Sequence, residues 1–497
     1  MTQDNTEMLD SEGNDASGIV PFKEKLAYGF SQMPGTFYGA IVGMIQAFYY
    51  GWMGLETGWI VLAQIFYAIW NVVNDPLFGN RINNTKYYNK KKGEYQRYIP
   101  YIKFGAPIFS LCFALVFFPP DSLRVHQDEL TAQVWLFVWY LASLAAYDTL
   151  FTLVLIAQVA LLPQMTLNQR EREKLQLLST VFSIPAILIG FVLPVQYLAD
   201  PTVTSIEQFQ FLVIAVAIFG VVPYFVLSKV VHEHSEHIPE KSMGIITSLK
   251  IAIKNKSFIQ YVIYDGVSVF TLNILITSLP FYIKWVLDPL GTDLLLFFLG
   301  PIVCLLISIP LILKIAEKFS TKASLSYSLG VLSIGFFFTF FAGLSGSWPL
   351  ISVGLSIVFL AFAGDFIQHN PMRADTIDYD YWKVSGERRE GLYAGIGPLL
   401  SKPMISVALA VPTAFMTLFG LVYDKDANGL VATHGMAAAS LSVNISFALI
   451  PGIVCLVGFL IWVKYYPLTG ELVKEMKAEL AIMHDERKRK YEHKDSI

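Results

Sequence analysis

The sequence predicts an all-α, multi-pass membrane protein of twelve transmembrane helices in two six-helix halves, with both termini in the cytoplasm. Three observations predict it: an apolar composition, twelve apolar stretches of spanning length, and a one-sided distribution of Lys and Arg. Of 497 residues, 54% are hydrophobic and 15% charged, against about 25% charged in soluble domains. The mean hydropathy is +0.52. At about 20 apolar residues per crossing, twelve crossings take roughly 240 residues and leave ordinary loops.

Apolar stretches fall at 27–51, 57–78, 101–118, 132–162, 176–198, 208–229, 257–286, 292–315, 323–344, 347–369, 392–421 and 440–463. The third ends at Pro119-Pro120, a helix break. With the N-terminus placed inside, the inward-facing segments hold 32 of the 36 Lys and Arg, while the outward loops hold Arg124, Lys284 and Lys425. Basic residues are retained on the cytoplasmic side, so this asymmetry sets both termini inside and asks for an even number of crossings. The polar stretch before the first span has no basic n-region, h-region or cleavage site. The first transmembrane helix is therefore expected to direct insertion into the plasma membrane.

A duplication is also legible. The fourth span ends Pro163-Gln164-Met165-Thr166 and runs into Gln169-Arg170-Glu171-Arg172-Glu173. The tenth ends Pro371-Met372-Arg373-Ala374 and runs into Gly386-Glu387-Arg388-Arg389-Glu390. A Pro, Met and charged signature six spans apart predicts two parallel halves with a solute path between them. The expected organisation is a disordered cytoplasmic N-terminus at 1–24 and a first half at 25–230. A linker with a short interfacial helix (Ile245, Ile246, Leu249, Ile253) follows at 231–256, then a second half at 257–465 and a charged cytoplasmic tail at 466–497.

Ionisable side chains inside a membrane cost at least ~2.5 kcal/mol each, so they face the bundle interior and mark function. Five lie within spans: Asp75, Asp148, Asp265, Asp365 and Lys402. Asn71 and Asp75 stand four residues apart on one helical face, and Pro76 frees a carbonyl of the preceding turn. Carboxylate, amide oxygen and loosened carbonyl suit a hard cation. Asp148 and Thr152 likewise share a face of the fourth span, unless their polar groups only join neighbouring helices. Lys402 is a counter-charge for Asp75 or Asp365, or else a lysine reaching the interface.

Other chemistries have little support. The net charge of -3 gives no general attraction for nucleic acid. Cys112, Cys304 and Cys455 sit in apolar runs without metal-ligand spacing. His232, His234 and His237 lie in the polar linker with no second ligand cluster, so neither a metal nor a cofactor is expected. No P-loop, nucleophile elbow or HExxH is present, which argues against an ATP-driven pump and against an enzyme. The basic runs around Lys90 and Lys488 suit topology and contact with membrane lipids.

Trp70-Asn71-Val72-Val73-Asn74-Asp75-Pro76-Leu77-Phe78-Gly79, the Gln169–Glu173 loop, and Arg373–Tyr379 with Gly386–Gly391 resemble the glycoside-pentoside-hexuronide:cation symporters. The resemblance covers about residues 20–465. It implies the major facilitator fold, alternating access and a cation site on Asp75, Asn71, Asn74 and Thr152, with Lys402 matching the family's lysine on the eleventh helix. Sugar-transporting members usually carry a second aspartate where this chain has Asn71, and Asp148 is a candidate replacement. Their sugar-binding aspartate on the first helix falls on Thr36. The fourth-helix aspartate and tryptophan fall on Leu155 and Val159, and the fifth-helix arginine falls on Thr180.

The function this reading implies is symport of a glycoside or related sugar, a small-molecule solute, with Na+ or H+ across the plasma membrane by a monomer. Asp265 and Asp365 join Asp148 and Lys402 as candidate coupling groups. Gln32, Thr36, Phe37, Tyr38, Gln158 and Thr180 are candidate solute contacts, and Phe30 and Gln46 offer further aromatic and amide groups. Arg172, Glu173, Asp375, Asp378 and Arg388 are a candidate cytoplasmic latch. Two alternatives stand: a cation-coupled carrier of lysolipids or other amphiphiles, favoured by Leu155 and Val159, and a non-transporting membrane sensor of the same fold.

Overall fold

The computed structural model describes residues 20–83, 87–89, 94–125, 129–166, 169–198, 205–233, 250, 252–288, 293–385, 390–427 and 429–480. The chain divides into two compact units, Met1–Lys241 with Val422–Val431, and Ser242–Leu421 with Ala432–Ile497.

In the first unit, α1 (Phe22–Phe30), α2 (Gln32–Gly43) and α3 (Ile45–Tyr49) follow one another closely. Then come α4 (Thr57–Asn83), the antiparallel pair β1 (Tyr87–Asn89) and β2 (Glu94–Gln96), α5 (Ile99–Val116) and the short α6 (Asp121–Val125). α7 (Leu130–Met165), α8 (Gln169–Leu198) and α9 (Ile206–Val230) complete it. α9 starts at a capping box: Ser205 accepts from the Gln208 N–H, and the Gln208 side chain accepts from the Ser205 N–H.

The second unit holds α10 (Lys256–Tyr282), which runs into a π-helical turn at Ile283–Leu287, α11 (Leu294–Lys318), α12 (Thr321–Ser345) and α13 (Trp348–Tyr379), which ends in a π-helical turn at Asp380–Ser385. α14 (Glu390–Ser401) and α15 (Pro403–Leu418) follow; strands β3 (Leu421–Asp424) and β4 (Gly429–Ala432) come next in the chain but belong, through Val422–Val431, to the first unit. α16 (Met436–Asn444), a π-helical turn at Ile445–Leu449 and α17 (Ile450–Tyr465) form one path, and α18 spans 470–480. Asn255 caps α10 through Oδ1 on the Ser257 and Phe258 N–H groups.

Both units pair their helices in one pattern. In the first, α4 and α5 pack on α7, α5 on α9, and α1 and α2 on α8. In the second, α11 and α12 pack on α13, α12 on α17, and α10 on α15. By order of spans these are the same contacts: second with fourth, third with fourth, third with sixth, first with fifth. Many outward positions are apolar, among them Phe211 at 74% exposure, Ile218 at 66% and Phe341 at 64%, as helices that meet lipid require.

Among the described residues, eleven helices are long and apolar enough to cross a membrane. The stretch expected as the first span is instead divided into α1, α2 and α3. Ser31, between α1 and α2, turns its Oγ back onto the Tyr28 carbonyl, and Pro34 lacks the N–H that a continuous helix would use. The expected eleventh span is likewise broken at Lys402, ahead of Pro403. Residues 20–24, expected in the N-terminal tail, are ordered: Val20 is buried and its N–H reaches Glu171. The expected linker helix and residues 481–497 of the tail fall largely or wholly outside the described residues.

Candidate cation and solute site

α4 places Gln64, Tyr67, Asn71 and Asn74 three or four residues apart, so all four share one face, and all are buried. That face meets α7, whose Tyr140, Asp148 and Thr152 are also buried. Asp148 lies between the helices as a bridging acceptor. Tyr67 donates its hydroxyl to Oδ1 at 3.0 Å, and Asn74 donates Nδ2 to Oδ2 at 3.0 Å. Trp70 Nε1 adds a bond to Thr149 Oγ1 at 3.1 Å. Two donors from α4 thus converge on one carboxyl group of α7 and join the two helices.

The acceptor halves of the same amides are not used. Asn71 lies beside the Tyr67 hydroxyl, yet neither its Oδ1 nor its Nδ2 has a hydrogen-bond partner among the described residues, and the same holds for Asn74 Oδ1 and Gln64 Oε1. Buried amide oxygens without partners are costly. A bound cation would satisfy them. Asp75 follows Asn74 directly on α4; its side chain lies outside the described residues.

The residues expected as solute contacts lie on α2, α7 and α8. Tyr38 is fully enclosed, stacked on Phe113 at 4.2 Å and edge-on to Phe109 at 5.0 Å, with its hydroxyl on Ser110 Oγ and the Ala217 carbonyl. It is a core residue that joins α2, α5 and α9. Gln158 Nε2 bonds Ser31 Oγ at 2.7 Å, and the Tyr28 hydroxyl donates to the Gln158 carbonyl, so Gln158 braces the α1–α2 break. Gln46 bonds Tyr140. Thr36 and Thr180 turn their hydroxyls onto carbonyls of their own helices, Gln32 and Gln176, and Thr180 is exposed. Phe37 is buried, and Gln32 and Phe30 are partly exposed.

Two of the described latch residues have partners within their own units. Arg172 Nε donates to the Thr166 carbonyl at 2.9 Å. Its neighbour Glu171 is the buried member of a cluster, paired with Lys25 and Lys174. Hydrogen bonds from Lys174 and Lys25 hold its carboxyl down at about 2. Asp375 is buried, which pushes its carboxyl up, and Lys477 of α18 partly offsets this at 3.1 Å. Asp378 is partly buried on the last turn of α13. The Glu173 and Arg388 side chains lie outside the described residues.

In the second unit, Asp265 of α10 and Asp365 of α13 approach one imidazole, that of His369, which sequence reasoning missed along with Tyr67 and Tyr261. The spacing of Asp365 and His369, four apart on one helix, was the available signal. Lys402 is partly exposed at the break before α15. Among the described residues no group of His, Cys, Asp and Glu has a metal-holding arrangement.

The sequence profile of the family described as MFS/sugar transport protein matches residues 26–470. The isoprimeverose transporter of Lactiplantibacillus pentosus is 22% identical over 450 residues, covering 89% of this chain and 87% of that protein. The uncharacterized symporter YjmB of Bacillus subtilis is 22% identical over 382 residues, covering 75% and 78%. Among solved structures, the inward-open xylose transporter XylE of E. coli superposes with a TM-score of 0.55 at 12% identity, covering 92% and 98% of the two chains. The nucleoside transporter NupG does so with a TM-score of 0.54 at 13% identity, covering 90% and 100%. With its profile matched over nearly the whole length and its helix pairing repeated in both units, the chain belongs to the MFS/sugar transport protein family and is a transporter of the major facilitator fold.

Proposed function

We propose that this transporter couples uptake of a sugar or glycoside to a metal cation of the sodium type, bound on the α4–α7 face of the first unit. The observation that carries the reading is the pair of buried oxygens, Asn71 Oδ1 and Asn74 Oδ1, one turn apart and without hydrogen-bond partners among the described residues, on the helix that carries Asp75. A proton would need only a carboxyl group. A sodium ion needs several oxygens at once, and two idle amide oxygens on α4, with the buried Thr152 on the facing helix α7, suit it better.

A sugar is the solute class that the family and the isoprimeverose-transporting relative support. The sidedness of Lys and Arg supports cytoplasmic termini, and a plasma-membrane location suits a transporter that takes up a solute. Alternating access is the mode that fits a site served by a duplicated bundle. Coupling then arises because cation and solute each favour the conformation that binds the other.

The test is uptake into proteoliposomes of labelled isoprimeverose, xylose, a glucuronide and a lysophosphatidylcholine, under an imposed sodium gradient or an imposed pH gradient. Sodium-stimulated sugar uptake, abolished in Asp75→Asn, is the expected result. Uptake driven only by the pH gradient replaces sodium with a proton, and lysophosphatidylcholine uptake alone replaces the sugar.

A further inference from the structure

We propose that Asp265, Asp365 and His369 form a proton-binding site in the second unit, where one proton taken from water is shared by two carboxylates around a single imidazole. His369 Nδ1 lies 3.5 Å from Asp265 Oδ1 and 4.0 Å from Asp365 Oδ1. Its other nitrogen, Nε2, meets the Tyr261 hydroxyl at 3.0 Å. All three titratable groups belong to membrane-spanning helices, Lys256–Leu287 and Trp348–His369, where such residues are costly and recur in proton relays.

Two features beyond the cluster point to a mobile proton. Asp365 Oδ1 is buried and has no hydrogen-bond partner among the described residues. It borders a small cavity, of a size for a single water, that Ser268, Thr271 and Cys455 also line. His369 and Asp365 keep 27% and 29% of their side chains exposed and form the more open side of the site, whereas the Asp265 side chain is only 10% exposed.

The surroundings leave the balance to these groups. α10 adds the hydroxyls of Tyr261 and Tyr264, α17 the Cys455 thiol, and α13 itself Arg373, one turn beyond His369. α12 faces the cavity with Leu329 and Leu332 and packs Ser328 on Gly364, where α11 brings Ile312. α14 meets the Tyr261 ring with Gly397, and α15 meets Gly266 with Met404. Both carboxylates face one imidazole nitrogen, and a positive charge placed there favours two like charges that otherwise oppose each other. The proton that enters is held by the imidazole and its carboxylate neighbours as one unit, part of the time as a carboxylic acid, and the titration therefore belongs to the group.

The site is separate from the α4–α7 face, and its test needs no solute. The full-length protein in phosphatidylcholine liposomes is titrated between about pH 5 and pH 8 by infrared difference spectroscopy, which reads the carboxylic acid C=O band. The expected result is one titrating band that is lost in Asp365→Asn. In His369→Gln its midpoint moves up by about one pH unit or more, because the imidazolium that favours the ionised carboxylates is gone. Tyr261→Phe, which removes only the hydroxyl on Nε2, serves as the milder variant and should shift the midpoint by a smaller amount. A band that persists in Asp365→Asn, or a midpoint unchanged in both folded His369→Gln and Tyr261→Phe, overturns the proposal. Sodium-coupled uptake would be untouched by that failure, and a failed uptake assay leaves the titration standing.

Discussion

Asn74 on α4 donates Nδ2 to Asp148 Oδ2 on α7 at 3.0 Å, while its own Oδ1 accepts nothing among the described residues. The carboxylate fixes which way the amide points, because an ionised acid accepts only from the NH2 side. One half of the side chain holds two helices together, and the other half is left buried with an oxygen that has no hydrogen-bond partner among the described residues. Replacing Asn74 with Leu removes a donor from a buried carboxylate, a loss of about 1–3 kcal/mol. We expect a lower unfolding temperature in detergent for Asn74→Leu, and a larger drop for Asn74→Asp, which sets two carboxylates together. Equal unfolding temperatures for both variants and the wild type would contradict the bridging role of Asp148.

Asn71 predicts the opposite separation of stability from function. Its amide makes no hydrogen bond among the described residues although only 1% of the residue is exposed. An apolar side chain of similar size removes an unsatisfied group and leaves stability unchanged or raised. If the oxygen serves the cation, Asn71→Leu weakens cation affinity at least about tenfold, equivalent to ~1.4 kcal/mol. The two measurements are the unfolding temperature and the sodium concentration for half-maximal uptake. Lower stability with unchanged sodium dependence would assign Asn71 to packing.

Much of this was legible in the sequence. The apolar stretches gave the helices, and the recurrence of Pro, Met and the charged loops gave the duplication now seen as matching helix pairings. Asn71, Asp148 and Thr152 were recognisable as polar groups at helical spacing in an apolar stretch, whereas Asn74 entered only through the family resemblance. What escaped notice depends on contacts across helices. Tyr38 reads as an aromatic on a transport helix, and only the packing of Phe109, Phe113 and Ser110 shows it as core. His369 stands beside its helical neighbour Asp365, but its partner Asp265 is more than a hundred residues away in sequence. Asp375 looks like a latch residue, and Lys477 of α18 proves to be a partner of its carboxylate.

The Glu171 cluster predicts an acid-dependent stability. Glu171 takes hydrogen bonds from Lys174, Lys25 and the Val20 N–H, and its carboxyl lies near 2 in the fold against an ordinary 4.5. A carboxylate lowered by folding contributes stability that is fully present above its unfolded value and is lost as pH falls through the folded one. The contribution is therefore complete at neutral pH and declines from about pH 4.5 toward pH 2. Glu171→Gln removes it at every pH, so its unfolding temperature should fall below that of the wild type by about 1–3 kcal/mol of stability at pH 7. The two proteins should converge as the pH approaches 2. Parallel curves that never converge would mean that the cluster does not titrate as a unit.

Gly354 tests whether the second unit depends on close helix contact. It lies on α13 where α12 passes so near that a Cβ would stand 2.9 Å from both the Thr339 Cα and its backbone nitrogen. Side chains can rotate away from such a clash, but backbone atoms cannot. Gly343 of α12 is similarly close to the Asn444 amide of α16, so α12 is confined on two sides. In a bilayer, where lipid is as apolar as the helices, small residues that let backbones approach supply much of the association energy. Gly354→Ala forces α12 and α13 apart and should cost about 1–3 kcal/mol, the range for overpacking. Gly39, where a Cβ would meet nothing within 4 Å, is the control on α2: Gly39→Ala should not destabilise, since alanine favours a helix over glycine by about 1 kcal/mol. Equal losses in both variants would show that the close approach of α12 to α13 is not what the glycine secures.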